Sequence, residues 1–221
     1  MAGNTHFLFN DCALISIATG QKAMTLTELR NNLIHISLDS IYHHFWGGLL
    51  VPRFEEREFN NDFAGWVRHS LRDPVLAERL AAIDPTASSN LEELRQELLD
   101  LIEERLDENE TVGWTRGNRQ FEFLRSQLVV FDANRRLEKP EDLAEQIPLL
   151  STSSIFYHFI DARRRLDQGC DDFSHWLADL GDEHLRLCEQ LAAIDPYFSS
   201  LSQIRTELTA LFKTYFTGGS P

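Results

Sequence analysis

The sequence lacks the short signatures by which most enzyme active sites are recognised. It has no glycine-rich phosphate loop, no Gly-x-Ser-x-Gly elbow and no His-Glu-x-x-His helix. It has no Cys-x-x-Cys, and no Glu-x-x-His of the kind that ligates iron in helical bundles. Cysteine is scarce: Cys12, Cys170 and Cys188 match no zinc or disulfide spacing, which fits reduced thiols in a cytoplasmic protein. Positive charge is short too, with 21 basic against 35 acidic residues and a net charge of −14. Nucleic-acid binders need a basic surface to displace counterions, so that class is excluded. An anionic membrane would repel such a chain. No apolar run approaches the roughly 18 residues of a membrane span, and no basic start leads into an apolar segment, so neither secretion nor membrane insertion is expected.

What is present is material for a core. The 221 residues are 43% apolar and include 15 Phe and 4 Trp. That rules out a disordered chain and suits one large domain or two of about 110 residues.

Two such units are written in the sequence. Ser40-Ile41-Tyr42-His43-His44-Phe45 returns as Ser154-Ile155-Phe156-Tyr157-His158-Phe159, 114 positions on (158 − 44). Phe7 and Phe9 return as Phe121 and Phe123 at the same spacing. Asp62-Phe63-x-x-Trp66 returns as Asp172-Phe173-x-x-Trp176, and Leu80-Ala81-Ala82-Ile83-Asp84-Pro85 as Leu191 to Pro196. The matches keep their order, so the chain is an internal duplication: residues 1–112 and 113–221, packed as one body. Two copies are too few for a solenoid. The expected architecture is α+β and mostly helical. It has two pseudo-two-fold-related units, each with a short strand region and about five helices, and a small central sheet burying the strand edges.

Within the first copy, residues 1–5 read as a frayed end and His6 to Ala18 as extended, with a turn or bulge at Asn10-Asp11 and an end at Thr19-Gly20. Thr25-x-x-Glu28 has capping-box spacing. A helix from Leu38 to Leu50 carries Ile41, Tyr42, Phe45 and Leu49 on one face. Arg53 to Asn61 is a charged connector. Asp73-Pro74 and Asn90 each open a further helix.

Residues kept in both copies are expected to serve the unit rather than a single active site. Trp66 and Trp176 read as core anchors, and Asp62 and Asp172 as helix caps, with Asn61 an alternative to Asp62. Asp84 and Asp195 read as turn residues before Pro. Arg95 and Arg205 read as partners in structural ion pairs. His44 and His158 are buried rings in one reading, and ligands or a general base in the other. Arg163-Arg164-Arg165 stands out in so acidic a chain, because guanidinium forks suit anions. The first copy has Leu49, Leu50 and Val51 at the matching positions, 114 earlier.

The series Phe-x-Phe, Ser-Ile-(Tyr/Phe)-x-His-Phe, Asp-Phe-x-x-Trp, Ile-Asp-Pro and Leu-Arg-x-Glu-Leu resembles an uncharacterised bacterial family known only as a domain of unknown function. The resemblance implies a bacterial cytoplasmic protein and brings no catalytic residue, metal or cofactor. The leading expectation is a non-enzymatic regulatory or protein-interaction module with a protein partner, and a homodimer is an option. One alternative is a binder of a small anionic metabolite in the groove between the units, using His44, His158, Arg163, Arg164 and Arg165. Another is a metal-dependent hydrolase built on His44 and His158.

Overall fold

A computed structural model describes residues 6–51, 58–109 and 111–218. The frayed end expected for residues 1–5 lies outside these, as does most of the charged connector, at 52–57. The protein is α+β and mostly helical, with an antiparallel sheet of two long strands, β1 (Phe7–Ala23) and β2 (Phe121–Leu137).

β1 runs unbroken through Asn10-Asp11 and through Gly20, where a turn and an end were expected. Gly20 takes φ +82 and its counterpart Asn134 takes φ +54. Positive φ inside a strand marks a bulge, which kinks pairing without ending it. Asn tolerates this conformation better than most side chains.

Helices of the first copy follow their caps. α1 (Leu26–Leu33) opens on the Thr25–Glu28 capping box, and α2 (Leu38–Trp46) follows Ser37. α3 (Asp62–Trp66) continues into a wider π-turn, Val67–Leu71. α4 (Pro74–Ala81) is capped by Asp73 and α5 (Leu91–Glu108) by Asn90. In the second copy, a one-turn helix at Pro140–Asp142 leads into α6 (Leu143–Gln146). α7 (Thr152–Ile155) and α8 (Ala162–Arg165) are joined by a π-turn, Phe156–Asp161, that carries His158. α9 (Asp172–Leu180), α10 (Leu185–Ala192) and α11 (Leu201–Thr217) complete the chain.

The chain forms two compact units whose division does not follow the tandem halves 1–112 and 113–221. One unit is residues 14–127 and the other is residues 1–13 with 128–221. Each strand is cut by this division, so each unit takes the front of a strand from the other copy. In unit 14–127, Phe121 and Phe123 of β2 pack on His44 of α2, and Phe121 also on Phe63 and Trp66 of α3. In the other unit, Phe7 and Phe9 of β1 pack on His158 of the π-turn, and Phe7 also on Phe173 and Trp176 of α9. All four phenylalanines are buried.

Packing within each unit is the same in kind. In unit 14–127, Phe121 stacks on Phe63 at 5.1 Å between ring centres and meets Trp66 edge-on at 5.7 Å. In the other, Phe7 stacks on Phe173 at 5.2 Å and lies 5.3 Å from Trp176. Each such aromatic pair adds about 0.5–1.5 kcal/mol beyond the area it buries. Trp66 and Trp176 are both buried, and the Trp66 indole also donates to the Arg119 carbonyl at 2.8 Å.

Candidate functional site: two histidine–aspartate strand clamps

His158 lies in the π-turn between α7 and α8 with 2% of its side chain exposed. The backbone N–H of Asn10 on β1 donates to its Nε2 at 2.8 Å. That nitrogen must therefore carry the lone pair, which puts the ring proton on Nδ1. Nδ1 faces Asp172 Oδ2 at 2.7 Å, so the ring donates to a carboxylate on one side and accepts from a strand on the other. Ser154 Oγ donates to the carbonyl of the same Asn10 at 2.7 Å. Both backbone groups of Asn10 are thus held by one helical segment.

The other unit repeats the arrangement with the copies exchanged. The Leu124 N–H on β2 donates to His44 Nε2 at 3.1 Å, and His44 Nδ1 lies 3.0 Å from Asp62 Oδ2. Ser40, the counterpart of Ser154, is buried with no hydrogen bond among the described residues. His43, which has Tyr157 as its counterpart, sets Nδ1 2.7 Å from Ser126 Oγ. Gly47 is required beneath it, since a Cβ there would come within 2.9 Å of the His43 ring.

Asp62 and Asp172 differ from the expected capping role. The caps are Asn61 and Asp171, one residue earlier, which accept from Ala64 N and Ser174 N at 2.9 Å each. The carboxylates one position on lie inside the first turn and turn towards the histidine instead. Burial by itself pushes the Asp172 carboxyl up, but hydrogen bonds from His158 and Arg165 outweigh it and hold it below the usual range. Burial pushes the capping Asp171 the other way, upward, despite its bonds to Ser174.

The arginine triplet is taken up inside its own unit. Arg163 lies over the Phe159 ring at 4.7 Å and donates to the Phe159 and Leu191 carbonyls at 3.2 and 3.5 Å. Burial lowers its pKa. Arg164 reaches the buried Asp161 at 3.2 Å. Arg165 lies over the Tyr157 ring at 4.3 Å and donates to Asp172 Oδ2 at 2.9 Å, which joins it to the His158 clamp. His158, Asp172 and Arg165 therefore form one network.

Arg95 and Arg205 both donate to backbone carbonyls. Arg95 donates to the Ile34 and Ile36 carbonyls at 3.0 and 2.7 Å, with Glu92 only at 3.5 Å. Arg205 donates to the Leu150 carbonyl at 2.8 Å. Each closes the open end of the segment before the histidine helix; Arg95 also keeps an ion pair, with Glu92, while no ion pair of Arg205 occurs among the described residues. Asp84 accepts from Thr86 N and Asp195 from Tyr197 N.

His43, His44 and Asp62 also bring possible metal-ligand atoms within 4.8 Å of one another. A proton count opposes that use. A metal on His44 Nδ1 forces the ring proton onto Nε2, where it meets the Leu124 N–H head-on. Holding an ion and holding the strand are competing uses of one ring.

Fold and site together define a duplicated α+β protein whose exchanged strands are held by buried histidines, each paired with an aspartate. The chain belongs to the family described as a family of unknown function, DUF5752, which matches residues 4–213. It is similar in structure to OrfY from Thermoproteus tenax, at 25% identity and a TM-score of 0.82, with 96% of each chain covered. No curated protein matches the sequence.

Proposed function

We propose that the protein is a non-enzymatic regulatory or protein-interaction module of the bacterial cytoplasm. One observation carries this reading: each histidine kept in both copies has both ring nitrogens engaged, one by a carboxylate and one by a strand amide. A general base needs a lone pair within reach of substrate, and His44 and His158 have theirs turned onto backbone. The same accounting weakens the metabolite and hydrolase alternatives, because Arg163 and Arg165 are held by carbonyls, aromatic rings and Asp172. The cytoplasmic setting is supported by three free cysteines, and no helix among the described residues is long and apolar enough to cross a membrane.

The experiment is affinity purification from the native host at native expression level, with crosslinking before lysis. A stoichiometric protein partner is expected. Recovery of the chain alone, alongside turnover of any phosphorylated or ester substrate that is abolished by His158→Gln, would sink the reading.

A further inference from the structure

β2 carries an exposed feature that the clamps do not use. Val129, Val130 and Phe131 are 40%, 42% and 50% exposed, in consecutive positions that put apolar side chains on both sides of the strand. Arg135 and Arg136 follow them, also exposed, and neither has an ion pair or hydrogen bond among the described residues. In a chain of net charge −14, two adjacent cations without a carboxylate partner stand out.

The backbone beside them is equally open. A two-stranded sheet leaves the outer edge of each strand without a ladder partner. On β1 in the same unit, that edge is covered at Asn10, whose N–H and C=O are taken by His158 and Ser154. Along 128–131 of β2, among the described residues, no hydrogen bond from a helix or loop reaches the backbone.

We propose that this stretch of β2 binds an extended segment of another protein in which acidic and apolar residues alternate, added as a third strand beside 128–136. The proposal rests on the interaction-module reading and gives it a surface and a partner chemistry. Main-chain bonds to the open edge supply affinity in such additions, and alternate side chains supply specificity. An alternating segment turns its apolar residues to one face, where they would cover Val129 and Phe131, and its carboxylates to the other, where one of the adjacent Arg135 and Arg136 lies. The overall negative charge does not forbid this, because charges beyond about 8 Å are screened at physiological salt. A second copy of the chain fits less well. Antiparallel pairing of β2 with itself about Val130 would set Arg125 opposite Arg135, and like charges directly opposed in a sheet are destabilising.

The test uses the full chain and a fluorescently labelled peptide of alternating Glu and Val, with an alternating Lys and Val peptide as control. Anisotropy should show binding of the Glu peptide only, weakened about tenfold or more by Arg135→Glu with Arg136→Glu and by added salt. Hydrogen exchange should show new protection of the 128–133 amides on binding, while circular dichroism of the variant stays unchanged. Equal binding of both peptides, no binding of either, or protection elsewhere overturns the proposal. So does a dimer in sedimentation that Phe131→Asp dissolves, since the occupant would then be a second copy. If the native partner is captured equally by the wild type and the double variant, this surface falls while the interaction reading stands.

Discussion

Asn10 and His158 are 148 positions apart in the sequence, yet the amide nitrogen of one and Nε2 of the other are 2.8 Å apart. Leu124 and His44 make the same bond in the other unit, at 3.1 Å. The front of each strand is therefore fixed to helices encoded in the opposite half of the chain.

Removing the ring should cost more than the loss of one hydrogen bond. His158→Ala leaves the Asn10 N–H and the Asp172 carboxylate facing an apolar space and removes a ring packed 5.1 Å from Phe7. A loss of about 3 kcal/mol is expected, the range for a buried donor left unpaired with a cavity beside it. His69→Ala, on the surface, should stay within about 0.5 kcal/mol of wild type. Urea denaturation followed by circular dichroism distinguishes the two.

Cutting the chain tests the exchange directly. A fragment of residues 14–127 contains every partner of one unit, including Phe121, Phe123 and Leu124, and should unfold cooperatively alone. A fragment of residues 1–112 has the same helices without those residues and should not. Mixing 1–112 with 113–221 should restore cooperative unfolding, read by tryptophan fluorescence. Equal stability of 1–112 and 14–127 would count against the exchange.

Acid should loosen the unit that contains Asp172. Its carboxyl is held below the usual range by His158 and Arg165, against the effect of burial. In the unfolded chain it ionises in the ordinary range. Stability gained from the shift is therefore present above that range and lost as pH falls through the lowered value. Asp172→Asn should reduce stability at neutral pH by about 1–2 kcal/mol and flatten its acid dependence. Melting temperatures measured between neutral and acidic pH give both readings.

Thiol chemistry should spare the strand cysteine. Cys12 is buried on β1, its Sγ donates to the Ser153 carbonyl at 3.3 Å, and burial, with Asp11 and Asp161 nearby, pushes its thiol up to about 12. Since the thiolate is the reactive form, iodoacetamide at mildly alkaline pH should modify Cys12 only once the chain is unfolded. Peptide mapping by mass spectrometry reports the order.

Much of this was legible in the sequence, and the remainder has physical reasons for being hidden. The Thr25–Glu28 box, Asp73-Pro74 and Asn90 mark helix starts because capping is decided by neighbouring residues. The duplicated Phe-x-Phe and His-Phe runs reveal two units with the same parts. They cannot reveal which strand meets which helices, because both pairings bring together the same side chains. The caps are Asn61 rather than Asp62 and Asp171 rather than Asp172: two adjacent cap-competent residues differ only in where the first turn begins, and the buried histidine draws the second of them away. The acceptors of Arg95 and Arg205 are carbonyls, which every residue carries, so no residue type marks them.

The strand exchange also bears on ancestry and synthesis. A single-copy forebear with the same exchange would have been a swapped homodimer, and fusion of its gene would have turned two chains into one without new contacts. During translation the 14–127 portion has its partners before the ribosome reaches α6, whereas Phe7 and Phe9 must wait, uncovered, for helices made last.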